Sequence, residues 1–163
     1  MCLKVFVDTA PFVAFLNSKD INHKSALEQF DKIAMTKEIL FTSDYVLDEV
    51  LSFVTRKKPE FVLRADKLIQ ESANIRMLKV DDEILANSKM FLKNYPKLLL
   101  SLTDWTSAVL ARQRSIEKIY SYDSGFDQLK NVKEFRSLRN FSRVEVIQNI
   151  SSDVAHLDLS RQR

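Results

Sequence analysis

Four short apolar runs, each followed by a helix-forming stretch, constrain this chain more than any other feature. They are Lys4-Val5-Phe6-Val7, Ile39-Leu40-Phe41-Thr42, the run over 75–80, and Ile119-Tyr120-Ser121-Tyr122. Their shortness and their β-branched and aromatic content mark them as buried strands. A helix follows the first run from Thr9 and Pro11, since proline is tolerated in a first helical turn, and ends near Asn17-Ser18. Helices are expected over 23–35 and over 60–72, after the break at Pro59. Ser43 or Asp44 caps another, which runs to Arg56-Lys57-Lys58, and Asp81 caps one ending at Asn94. The last helix opens at Ser101-Leu102-Thr103-Asp104, and 143–147 supplies a candidate fifth strand. This alternation predicts an α/β fold, with a parallel sheet of about five strands sandwiched between helices.

In such open sheets, ligand sites lie beyond the carboxyl ends of the strands, where the strand order reverses. Asp8 closes the first run and Asp123 the fourth. Asp104 occupies the first turn of its helix, where an acid suits the positive end of the dipole. Ala108 and Ala111 stand beneath it on the same face, as expected of a helix pressed against a sheet with the carboxylate at its upper rim. Glu49 falls just past the apolar arc of its own helix, between Val46 and Phe53, and is expected to look into a cleft beside the core. Four carboxylates from four segments thus converge on one edge. Asp127, four residues beyond Asp123, is a candidate fifth ligand or a neighbour of the ligands.

Crowded carboxylates raise one another's pKa and oppose folding unless a cation shares the site. Oxygen donors without Cys or His suit Mg²⁺ or Mn²⁺, as one ion or as a pair about 4 Å apart. Metal-dependent phosphodiester hydrolysis fits these acids. Other chemistry finds little support. A single glycine, Gly125, excludes a Gly-rich phosphate loop, and no Ser–His–Asp or Cys–His arrangement can be drawn. An aspartyl phosphatase would carry a second acid where Ala10 stands. His23 and His156 have no partner pattern, and Trp105 is expected to be a packing anchor.

The 163 residues are 45% hydrophobic, enough for one domain with a sizeable core. The expected domain spans 1–150, followed by a tail over 151–163 that lacks a core pattern and is expected to be disordered. The single cysteine, Cys2, cannot form an internal disulfide, and no run approaches the ~20 apolar residues of a membrane span. A cytoplasmic protein with no membrane association is expected. The net charge is only +3, but Arg112 and Arg114 form one basic knot. Lys130, Lys133 and Arg136 lie in a second basic stretch, over 130–143, with Phe135 and Phe141 interleaved. That pattern suits RNA, beside the plainer reading of a solvated face.

Three segments carry a family likeness: VFVDTAPFVAFLN, TSDYVLDEVLSFVTRK and LSLTDWTSAVLARQRSIEKIYSYDSGFDQL. Over residues 3–147 the chain resembles a PIN domain, and most of all the VapC-type toxin ribonucleases of prokaryotic toxin–antitoxin modules. The resemblance implies a metal-dependent endoribonuclease whose acids match Asp8, Glu49, Asp104 and Asp123, with Asp127 a fifth candidate. It also implies that Thr9 and Thr103, each next to an acid, support the site, and that a small antitoxin inhibits the protein. Phe12, Phe15, Leu47 and Leu51 exceed one buried stripe and are expected to be exposed, for a homodimer or an apolar partner helix. The alternative to a nuclease is a non-catalytic PIN-like module that binds RNA or protein. A metal-dependent phosphatase for small phosphoesters would have little use for the basic stretch.

Overall fold

A computed structural model describes residues 4–36 and 38–140. Its centre is a fully parallel sheet of five strands in the order β3-β2-β1-β4-β5. The strands are β1 (Lys4–Val7), β2 (Ile39–Ser43), β3 (Ile75–Leu78), β4 (Lys118–Tyr120) and β5 (Arg139–Asn140). Six α-helices connect them: α1 (Thr9–Leu16), α2 (His23–Thr36), α3 (Asp44–Lys57), α4 (Val62–Gln70), α5 (Asp82–Asn94) and α6 (Leu102–Gln113). The chain runs outward from β1 through β2 to β3, then crosses back to lay β4 on the other side of β1. The strand order therefore reverses between β1 and β4. That is the place where an open α/β sheet leaves a crevice at its carboxyl end.

The caps follow the chemistry of the chain. The Ser43 hydroxyl accepts the Val46 N–H at 3.2 Å to start α3, and Asp81 accepts the Ile84 N–H at 2.9 Å to start α5. The last helix is held most firmly. The Ser101 hydroxyl accepts the Asp104 N–H at 3.2 Å, and the Asp104 carboxylate accepts the Ser101 N–H at 2.7 Å, closing a capping box. Val5, Phe6 and Val7 are all buried, as expected of a central strand covered on both faces. Trp105 is fully buried and stacks on Phe91 at 5.5 Å, with Phe135 at 5.8 Å, so it is a packing anchor.

Two expectations need correction, and a third lies outside the described residues. The fifth strand lies at Arg139–Asn140, while 143–147 and the expected tail fall outside the described residues. Phe12 is fully buried, and Phe15, Leu47 and Leu51 are partly buried against the core. The reason is that α1 packs against both α2 and α3 and so is apolar on nearly every side. Among the described residues the exposed large apolar side chains are instead Ile21, Met35, Leu63, Met90 and Leu99. Finally, Phe135 is a core residue, packed edge-on against Phe91 at 4.9 Å, and its ring is not available to stack on a base.

Candidate active site

The β1–β4 crevice opens as a cleft of ≈ 450 Å³, lined by Asp8, Glu49, Asp104 and Asp123 among others. Each acid arrives by a different route. Asp8 follows β1 directly and stands at the N-terminus of α1. In the parallel register Val7 pairs with Tyr120, so the next residues along, Asp8 and Ser121, fall side by side. The Asp8 N–H donates to the Tyr120 carbonyl at 3.0 Å, and the Ser121 hydroxyl donates to Asp8 Oδ2 at 2.7 Å. The same hydroxyl accepts the Asp123 N–H at 3.0 Å, so Ser121 links the two strand-end acids. Asp123 Oδ1 in turn accepts the Gly125 N–H at 2.7 Å. Gly125 has no positive φ; what it supplies is room, because a Cβ there would lie 2.6 Å from Leu100 Cδ2 and 3.1 Å from Asp123 Oδ1.

Glu49 reaches the cleft from the second turn of α3, where the Thr9 hydroxyl donates to its Oε2 at 2.7 Å. Asp104 sits at the N-terminus of α6 with 8% exposure, above the fully buried Ala108 and Ala111.

The electrostatics of this group are unfavourable as it stands. Asp8 is 3% exposed, and its pKa is raised from 3.8 to about 7. Burial is the main cause, the charge on Asp104 adds to it and that on Glu49 contributes less, while Ser121 and the Thr9 amide lower it. Asp104 is also raised, first by burial and then by Asp123 and Glu49, against the opposing Ser101 hydrogen bonds. Asp8 Oδ1 is buried without a hydrogen-bond partner. A buried oxygen of this kind is costly unless something positive or protic meets it. A hard cation suits both the orphaned oxygen and the all-oxygen donor set. Among the described residues, however, no group of three or more Asp, Glu, His or Cys side chains is already gathered closely enough to hold a metal ion.

The PIN domain family matches residues 5–132, which covers all four of these acids. The chain belongs to the PIN domain family. No curated protein matches it in sequence. Among solved structures, the VapC20 toxin of Mycobacterium tuberculosis, described as cleaving the sarcin–ricin loop, aligns with a TM-score of 0.65 at 23% identity, covering 74% of this chain and 90% of that one. VapBC2 of Rickettsia felis, bound to a DNA fragment from its promoter, aligns with a TM-score of 0.61 at 13% identity, covering 86% and 100% of the two chains. FitAcB of Neisseria gonorrhoeae follows with a TM-score of 0.58 at 17% identity, covering 85% and 97%. Likeness at these identities concerns the fold.

Other expected site residues of this PIN domain lie elsewhere. Asp127 is exposed on the 3₁₀ turn Ser124–Asn131 and does not line the cleft. Thr103 is not at the cleft wall either; its carbonyl accepts hydrogen bonds from the Thr106 and Ser107 hydroxyls, and Ser101 is the hydroxyl residue beside Asp104. Arg112 and Arg114 sit at the far end of α6. At ~1.5 Å per residue, Arg112 is about 12 Å along the axis from Asp104. The Arg112 guanidinium lies 5.9 Å from the centre of the Phe135 ring. Lys130, Lys133 and Arg136 are exposed and also outside the cleft. His23 is used structurally, with Nδ1 2.7 Å from the Ala14 carbonyl. Sequence reasoning missed Ser121, Asp20 and Asn22. Ser121 could have been found by extending the β1–β4 register one residue, whereas the loop holding Asp20 and Asn22 has no periodicity to read.

Proposed function

We propose that this PIN domain is a metal-dependent endoribonuclease, hydrolysing RNA phosphodiester bonds as the toxin of a toxin–antitoxin pair. The observation that carries the reading is Asp8. One of its oxygens is fixed by Ser121 and the other is buried and unpaired, in a cleft shared with Glu49, Asp104 and Asp123 at the sheet's switch point. Those four residues would hold Mg²⁺ or Mn²⁺. A divalent cation bound there supplies an activated water and neutralises charge developing on the phosphate.

The remaining chemistry belongs to the chain. Thr9 fixes the Glu49 carboxylate, the capping box fixes Asp104, and the Gly125 amide fixes Asp123. Asp8, raised to about 7, carries a proton on its carboxyl group through the mildly acidic range and releases it when a positive charge enters. Asp127 is left out of the ligand set because it is exposed away from the cleft. The exposed Arg112, Arg114, Lys130, Lys133 and Arg136 would steer RNA from outside the cleft by long-range attraction.

The likeness to a VapC toxin and to VapBC2 and FitAcB supports an antitoxin partner. We further propose a homodimer acting in the cytoplasm. Among the described residues no helix is long and apolar enough to cross a membrane.

The test is to incubate purified protein with a pool of cellular RNAs in Mn²⁺, Mg²⁺ or EDTA and to map new ends. Discrete cuts should appear with metal, vanish in EDTA and be absent for Asp8→Asn. Intact RNA under all conditions, with RNA still bound, would favour the non-catalytic module.

A further inference from the structure

The cleft raises a problem for any nucleic-acid substrate. Four of its lining residues are the acids already described and Asp20 is a fifth, while among the described residues no Lys or Arg lines it. Beyond a bound metal, what these lining residues offer a substrate close to the scissile phosphate is uncharged contacts. The cleft lining offers such contacts. Phe53 lies one turn beyond Glu49 on α3, Tyr122 precedes Asp123, and Leu99 stands just before the capping box of α6.

Leu99 is unusual in two independent respects. Its backbone is left-handed, with φ 57° and ψ 18°, a conformation unfavourable for a residue with a Cβ and natural for Gly or Asn. It is also 88% exposed, so packing does not compensate for that conformation. The segment holding it is pinned on both sides. The Leu99 N–H donates to the Pro96 carbonyl at 3.3 Å, Leu100 is buried where Gly125 leaves space, and Ser101 caps α6. An exposed, rigidly presented apolar side chain in an unfavourable backbone region, at the wall of a polar cleft, has the marks of a functional contact. Ile21, 91% exposed, stands between Asp20 and Asn22, which line the same cleft.

We infer that Leu99, with Phe53 and Tyr122, forms an apolar subsite for a nucleobase next to the scissile phosphate, and that Leu99 helps determine which base is accepted there. The inference rests on the nuclease reading. Such a contact requires an unstacked base, so it selects single-stranded or looped RNA.

The test combines Leu99→Gly and Leu99→Asn with oligoribonucleotides carrying an abasic site on one side or the other of the mapped cut. Both variants suit the left-handed backbone and should melt within a few degrees of wild type, with an unchanged Mn²⁺-induced shift. Loss of one flanking base should lower wild-type kcat/KM about tenfold. The Leu99 variants should lose about as much on intact RNA and lose nothing further at that abasic position. In the Asp104→Asn background, where turnover stops, oligonucleotide affinity measured by fluorescence anisotropy should show the same coupling.

A wild type that neither cleaves nor binds RNA overturns the nuclease reading and this inference with it. A cleaving wild type matched by Leu99→Gly, or additive effects of Leu99 and the base, overturns this inference alone. It also fails if Leu99→Gly leaves RNA turnover intact while lowering the mass seen in light scattering, since Leu99 would then be a protein contact.

Discussion

Replacing Asp8 with Asn in the metal-free protein should make it more stable at neutral pH. Asp8 is raised from 3.8 to about 7 in the folded chain, mainly by burial and secondarily by Asp104. Between these values the folded state keeps a proton that the unfolded chain has released. Stability therefore falls as pH rises through this window, by up to about 1.36 kcal/mol per pH unit. Below about 4 both states are protonated and the group contributes nothing; above about 7 the full penalty applies, on the order of 4 kcal/mol. Asn keeps the shape and can still accept from Ser121, while its amide can donate toward the neighbouring carboxylates. Urea unfolding in EDTA, at a series of pH values from about 5 to about 8, should show Asp8→Asn above wild type at the high end and converging toward it at the low end. Excess Mn²⁺ should then narrow the gap at the high end by more than half, because a cation bound at 100 times its Kd adds about 2.7 kcal/mol to wild type only. A difference between the two proteins that is independent of pH, or an Asn variant less stable than wild type at pH 8 in EDTA, would refute the reasoning.

Further outcomes follow from the same geometry. Millimolar Mn²⁺ should raise the wild-type melting temperature, and Asp104→Asn should blunt the rise in a differential scanning experiment. Thr9→Val removes the hydroxyl that holds Glu49 Oε2; RNA cleavage should fall about tenfold or more while thermal stability changes by less than about 1 kcal/mol. Gly125→Ala places a Cβ against Leu100 and the Asp123 carboxylate, so it should cost about 1–3 kcal/mol in urea unfolding and reduce activity by moving Asp123. Reversing the charges of Lys133 and Arg136 should weaken RNA binding and flatten its salt dependence without changing the Mn²⁺ shift. Binding indifferent to both substitutions would leave these residues as a plain solvated face.

The sequence by itself determined the α/β alternation, a cap at Ser43 or Asp44 and one at Asp81, the opening of the last helix at Ser101, and the arrival of Asp8, Glu49, Asp104 and Asp123 at one cleft. These were legible because strand and helix periodicity is local, and because a parallel sheet sends every strand end to the same edge. The acids needed no knowledge of which strand neighbours which. What only the tertiary structure decided depends on partners distant in the chain. Ser121 meets Asp8 through the β1–β4 register, and Thr9 meets Glu49 through the packing of α1 against α3. Asp127 stays outside the cleft because the chain after Asp123 turns as a 3₁₀ segment that keeps its acid in solvent. Arg112 lies far from Asp104 because one helix spans the depth of the sheet. Burial itself is of this kind. Phe12 and Phe135 look like surface aromatics along the chain, and both are interior because α1 is covered by α2 and α3 and because Phe91 and Trp105 close over Phe135. A side chain's own identity states what it prefers to bury, but what arrives to cover it is set by the rest of the fold.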